Sequence, residues 1–135
     1  MIFPVRNYDL DATLTSGQAF RWKFLEGAWE GVIGSRWVRL QSSDKGILAE
    51  VATPVSDWSW LTEYLQLEVD LESVLLSFPD DEPMRAAVGA CRGLRLMRQE
   101  PWECLASFIL SSTKQIVQIQ QIVSLLCHRF GAPLL

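Results

Sequence analysis

The run Phe20-Arg21-Trp22-Lys23-Phe24-Leu25-Glu26-Gly27-Ala28-Trp29-Glu30-Gly31-Val32-Ile33-Gly34-Ser35-Arg36-Trp37-Val38-Arg39-Leu40, followed by Asp44-Lys45-Gly46 and Ile47 to Val51, decides the fold. Phe20, Trp22 and Phe24 alternate with charged neighbours, Glu26-Gly27 turns, and Trp29 to Ile33 runs back. Gly34-Ser35 and Asp44-Lys45-Gly46 turn the chain twice more, around Trp37 to Leu40. Short aromatic and β-branched runs separated by Gly-containing turns predict an antiparallel meander. Upstream, the alternation of Tyr8, Leu10, Ala12 and Leu14 predicts one more strand, joined to the meander through Ser16-Gly17-Gln18.

Downstream of Pro54 the period changes. Ser56 or Asp57 can cap a helix carrying Trp58, Leu61 and Leu65, and Asp70 can cap a second carrying Leu71, Val74, Leu75 and Phe78. Pro79-Asp80-Asp81-Glu82-Pro83 reads as a boundary without regular structure. A third helix then carries Met84, Ala87, Val88 and Cys91 and stops at Gly93. Pro101 opens a fourth, with Trp102, Leu105, Phe108 and Ile109 on one stripe. The last carries Ile116, Ile119, Val123 and Leu126, with Ser112 and Gln115 at capping-box spacing before it and Gly131 and Pro133 after it.

Composition narrows the function classes. The chain has 135 residues, 49% of them hydrophobic and 21% charged, which suffices for a core. No apolar run approaches the roughly 20 residues of a spanning helix, so no membrane partner is expected. Cys91, Cys104 and Cys127 form no CxxC pair, which excludes a disulfide framework or a zinc ribbon and makes a reduced, intracellular protein the expectation. Cys91 and Cys127 fall on apolar stripes and read as packing residues. His128, late in its helix and without a carboxylate or cysteine near it in sequence, reads as a helix-end residue. Metal or hydrolytic-triad chemistry has no motif.

The net charge of −4 is unevenly spread: six basic against fourteen acidic side chains in residues 1–83, and six against two in residues 84–135. A polyanion partner is therefore open to the C-terminal part. Two polar segments interrupt the apolar pattern. Ser16-Gly17-Gln18 is either a plain turn or a place of close backbone approach. Ser111-Ser112-Thr113-Lys114-Gln115 is either an interhelical loop or a helix entrance able to meet a phosphate or an unpaired base.

Three stretches together resemble the 8-oxoguanine DNA glycosylase family of base-excision repair enzymes. They are Ser16-Gly17-Gln18-Ala19-Phe20-Arg21-Trp22, then Leu94-Arg95-Leu96-Met97-Arg98-Gln99-Glu100-Pro101-Trp102-Glu103-Cys104-Leu105 with Ser107 to Ser112, and Leu126-Cys127-His128-Arg129-Phe130-Gly131. The resemblance implies an α+β fold. Residues 1–79 would form an antiparallel sheet domain like the TATA-binding protein, and residues 80–135 the opening helices of an all-helical domain. It implies no cofactor, and duplex DNA containing oxidised guanine as partner. Location would then be the cytoplasm and nucleoid of a bacterium or the nucleus of a eukaryote.

Site residues follow from the same resemblance. Gly17, with Gln18 beside it, would meet the extruded base, the Gly17 carbonyl accepting from the N7–H that only the oxidised guanine has. Ser112, Thr113, Lys114, Gln115 and Gln118 would fill the gap and hold the backbone. The best-known members have asparagines where Thr113, Lys114 and Gln115 stand, and an arginine where Gln118 stands. That departure implies a relaxed choice of base opposite the lesion. The family's attacking lysine, assisting aspartate and hairpin element have no match in residues 1–135. Lys23 and Lys45 fall in the sheet and Lys114 in the gap loop, so no catalytic residue is expected in this chain, and a separate C-terminal fragment would supply it. A non-catalytic DNA- or partner-binding module, an alkylpurine glycosylase relative, and a half-domain with an uncovered apolar stripe stand as alternatives.

Overall fold

The computed structural model describes residues 1–134. Five strands, β1 (Ile2–Phe3), β2 (Lys23–Leu25), β3 (Ala28–Ile33), β4 (Arg36–Ser43) and β5 (Gly46–Val51), form one antiparallel sheet in the order β1-β5-β4-β3-β2. Six helices accompany it: α1 (Leu10–Thr15), α2 (Ser59–Leu65), α3 (Leu71–Leu75), α4 (Glu82–Ala90), α5 (Pro101–Ser111) and α6 (Ile116–Phe130). The class is α+β.

Turn chemistry sets the meander's register. Glu26-Gly27 pairs Leu25 with Ala28, Gly34-Ser35 pairs Ile33 with Arg36, and Asp44-Lys45 pairs Ser43 with Gly46. One face of the sheet then presents Val38, Leu40, Ile47 and Ala49, all buried, to Leu10 and Leu14 of α1 and to Leu61 and Leu65 of α2. Each fully buried leucine contributes about 2 kcal/mol relative to exposure. Trp22 extends the same core over β3. Its indole lies across Gly31, where an added β-carbon would stand 2.5 Å from the ring, and its Nε1 donates to the Tyr64 hydroxyl at 3.1 Å. Burial pushes Tyr64 up to about 12, and it pushes Tyr8 up as well.

Residues 8–14 are not a strand. Asp9 caps α1 by accepting from the Ala12 N–H at 2.8 Å, and Leu10, Thr13 and Leu14 are buried at helical spacing. The alternation seen in sequence was a by-product of a short helix in which Ala12 contributes little to the core. The run from Phe20 to Phe24 likewise yields only Lys23–Leu25 as strand, because Trp22 turns inward onto Gly31. A short β1 pairs with β5, and the Met1 amine donates to the Ala49 carbonyl at 2.9 Å.

The helical expectations hold in part. Asp57 binds the Ser59 N–H and hydroxyl at 2.9 and 2.8 Å, which starts α2 one residue beyond Trp58. Asp70 caps α3 as expected. The acidic Pro79–Pro83 stretch does carry regular structure, since Asp81 accepts from the Met84 N–H at 2.8 Å and α4 starts at Glu82 with Pro83 in its first turn. Trp102, Leu105, Phe108 and Ile109 are exposed, and Ser107 is the buried residue of α5. All three cysteines are exposed too, which corrects the reading of Cys91 and Cys127 as packing residues: the outer faces of α4 and α6 are uncovered among the described residues. On α6 only Ile119 and Val123 are buried.

Candidate functional site

The two polar segments, almost a hundred residues apart in sequence, meet at one place. Ser16 ends α1, and Gly17 follows at φ +81°, a left-handed conformation that glycine adopts without a side-chain penalty. A β-carbon on Gly17 would stand 3.3 Å from Cδ1 of Ile116, the first residue of α6. The Ser16-Gly17-Gln18 turn therefore abuts the helix entrance that the 111–115 segment builds.

Hydrogen bonds close the turn on both sides of Gly17. The Ser16 hydroxyl donates to the Thr13 carbonyl at 2.9 Å and accepts from Gln18 Nε2 at 2.8 Å. Gln18 Nε2 also donates to the Arg95 carbonyl at 2.8 Å, and Gln18 Oε1 accepts from the Met97 N–H at 2.9 Å. Gln99 Nε2 donates to the Gln18 carbonyl at 2.6 Å. Both ends of the Gln18 carboxamide are thus committed to the 95–97 backbone, and the residue locks the turn. Among the described residues no hydrogen bond holds the Gly17 carbonyl.

The 94–99 segment is in turn anchored to the core. The Arg95 N–H donates to Thr13 Oγ1 at 3.1 Å, and Met97 is buried. The buried Arg95 guanidinium lies over the Tyr8 ring at 5.5 Å and donates from Nη1 to the Val69 carbonyl at 2.6 Å. Arg21 meets Glu103 of α5 at 3.3 Å. A groove of about 490 Å³ then separates the β2 edge from α6, lined by Phe20, Arg21 and Lys23 on one side and Gln120, Ser124 and Cys127 on the other.

The expected gap residues lie at the surface. Ser112, Thr113, Lys114, Gln115 and Gln118 are all exposed. Thr113 holds φ +60°, uncommon for a β-branched residue, and the Lys114 N–H donates to the Ser111 carbonyl at 3.1 Å. Gln118 Oε1 accepts from the Gln115 N–H at 3.0 Å. The reach-back at the entrance of α6 thus joins Gln115 to Gln118, where the spacing predicted Ser112 to Gln115, because the helix starts three residues later than a Ser112 cap requires. Lys23, Lys45 and Lys114 are exposed, and His128 lies in the last turn of α6. No cluster of metal-ligating side chains occurs among the described residues, and no helix there is long and apolar enough to cross a membrane.

Sequence reasoning missed Gln99, Thr13 and Ile116. Gln99 stands in a segment without helical or strand periodicity, Thr13 was assigned to a strand, and Ile116 was read only as one position of an apolar stripe.

The family model described as 8-oxoguanine DNA glycosylase, N-terminal domain, matches residues 1–105. The N-glycosylase/DNA lyase OGG1 of Arabidopsis thaliana is 33% identical over 122 residues, covering 84% of this chain and 33% of its own length. The structure of MBOgg1 in complex with a low affinity DNA ligand superposes with a TM-score of 0.87 at 29% identity, covering 96% of this chain and 45% of that one. The apo structure of the Clostridium acetobutylicum 8-oxoguanine glycosylase/lyase superposes with a TM-score of 0.78 at 27% identity, covering 87% and 41%. The chain thus spans a third of the curated relative and less than half of these structures. A locked Ser-Gly-Gln turn at the head of a helix, a matching family model over most of the length and a shared fold lead to one statement: this chain belongs to the 8-oxoguanine DNA glycosylase family.

Proposed function

We propose that this chain is the lesion-reading part of a base-excision DNA glycosylase acting on 8-oxoguanine in duplex DNA. The observation that carries the reading is the Gly17 turn, clamped on both sides with an unengaged carbonyl, beside an exposed polar loop. An acceptor held there is satisfied by the N7–H of the oxidised base and left facing a lone pair by normal guanine. Extruding the base costs a few kcal/mol, which filling the gap in the stack offsets. In this reading Thr113, Gln115 and Gln118 fill it and Lys114 holds a phosphate, which their exposure at the surface supports. The relatives' printed names, N-glycosylase/DNA lyase and 8-oxoguanine glycosylase/lyase, and the DNA in one of their structures support the assignment.

Base removal coupled to strand nicking through a covalent sugar adduct would need an amine in a buried, preorganised site. Lys23, Lys45 and Lys114 are exposed, and the Met1 amine is held by Ala49. We therefore assign recognition to these residues and base removal to a part outside residues 1–135, on the same chain or on a separate C-terminal fragment, seated on the exposed apolar faces of α5 and α6. The division at residue 79 between a sheet unit and the start of a helical unit belongs to the same proposal. So does location with the genome, in a bacterial cytoplasm and nucleoid or a eukaryotic nucleus. The exposed lysines also favour a second reading, a damage-binding module that cuts nothing.

Borohydride trapping on a duplex with 8-oxoguanine opposite cytosine, beside an undamaged control, tests this. Lesion-selective binding without a covalent adduct is expected. An adduct would place the nucleophile in this chain, and equal binding to both duplexes would end the lesion-reading proposal.

A further inference from the structure

We infer that Gln99 is a positioning residue for lesion selectivity, holding the Gly17 carbonyl in the orientation that discriminates oxidised from normal guanine. The inference rests on the lesion-reading proposal above and extends it to a residue that never meets the base.

A peptide carbonyl discriminates only if it cannot turn away. The Gly17 carbonyl belongs to the Gly17–Gln18 peptide, whose rotation is set by ψ of Gly17 and φ of Gln18. Glycine resists such rotation least of all residues, so the restraint must come from Gln18. Its side chain is fixed by the Arg95 carbonyl and the Met97 N–H. Side-chain bonds alone leave the main chain of Gln18 free to pivot about its α-carbon. The remaining restraint is the bond from Gln99 Nε2 to the Gln18 carbonyl, 2.6 Å long and part-buried. It fixes the peptide that follows Gln18, so the α-carbon is held from two directions.

Gln99 is itself well held. Glu100, restricted by the proline that follows it, caps α5 by accepting from the Glu103 N–H at 2.7 Å, so the chain on the C-terminal side of Gln99 is fixed. Met97 and Arg95, two and four residues earlier, are buried in the core. Gln99 thus transmits the rigidity of that anchored segment to the turn. A donor is required, because an acceptor at the same place would repel the Gln18 carbonyl.

Gln99→Met removes the donor at similar volume, and Gln99→Lys restores an N–H on a chain of similar reach. The test measures dissociation constants of the full chain for a duplex with 8-oxoguanine opposite cytosine and for its undamaged counterpart, by fluorescence anisotropy. The quantity read is their ratio. Gln99→Met is expected to lower the ratio up to about tenfold, the worth of one well-made hydrogen bond, while leaving affinity for undamaged duplex within about twofold. Gln99→Lys is expected to recover most of the ratio. An unchanged ratio in Gln99→Met, an equal fall in both affinities, or no recovery in Gln99→Lys would overturn the positioning role and leave the lesion-reading proposal standing. Equal affinities in the wild-type chain would overturn that proposal and this inference with it.

Discussion

Ile116 closes the space beside Gly17: its Cδ1 lies 3.3 Å from the position a glycine β-carbon would take. That one contact ties the turn after α1 to the entrance of α6, so the Ser16–Gln18 turn and the 111–115 loop share a wall. It also makes Gly17 doubly constrained, once by its φ of +81° and once by its neighbour.

Gly17→Ala is therefore expected to destabilise the chain by about 1–2 kcal/mol through the left-handed backbone alone, with a further loss from the crowded contact. Ile116→Val, which removes Cδ1, should recover the second part and leave the first. Urea unfolding of the two single variants and the double variant separates these contributions. Full additivity would contradict the contact.

Gly31→Ala should be damaging through crowding alone. Its β-carbon would fall 2.5 Å from the Trp22 ring, which is buried and tied to Tyr64. Neither partner has room to yield, so a loss of about 1–3 kcal/mol is expected in urea unfolding. Stability equal to wild type would show that the indole packs elsewhere.

Alkaline pH should unfold the chain from its tyrosines. Tyr64 is raised by burial from about 10 to about 12 in the folded state. A raised folded value means that its contribution is fully present below about pH 10 and is lost as pH rises towards 12. Tyr8 shifts in the same direction, so both steepen the loss. Tyr64→Phe should cost about 1 kcal/mol at neutral pH, since Trp22 Nε1 loses its acceptor, and should flatten the stability curve above pH 10. Denaturant midpoints at pH 8, 10 and 11 read both effects.

Lys114 should contribute charge and no selectivity. Lys114→Ala is expected to weaken binding to damaged and undamaged duplex alike and to reduce the salt slope of log Kd by about one. A selective loss for the damaged duplex would instead give Lys114 a contact with the base.

The meander was legible because its turns carry glycine at the right spacing and because β4 and β5 alternate in burial. The helical half was legible in its caps, Asp70 above all, and in Pro101 at the head of α5. The 8–14 segment was not, because Leu10 and Leu14 satisfy a two-residue and a four-residue period equally and only burial of Thr13 separates them. The α5 stripe has the periodicity of a core helix yet is exposed, since amphipathicity reports a face to be covered and not what covers it. At the site, Gly17 and the 111–115 loop could be singled out from polarity. Their meeting at Ile116 and the clamp from Gln99 depend on tertiary contacts between segments some eighty to a hundred residues apart, which no local pattern encodes.

The central claim is that the Gly17 carbonyl reads the hydrogen on N7. Measuring the affinity of this chain for three duplexes, with guanine, 8-oxoguanine or 8-bromoguanine opposite cytosine, tests it most directly, because the bromine supplies bulk at C8 without a hydrogen on N7. The account predicts that 8-oxoguanine binds at least about tenfold more tightly than both others. Equal affinity for 8-bromoguanine and 8-oxoguanine would contradict it, showing that shape at C8 is read in place of the N7–H.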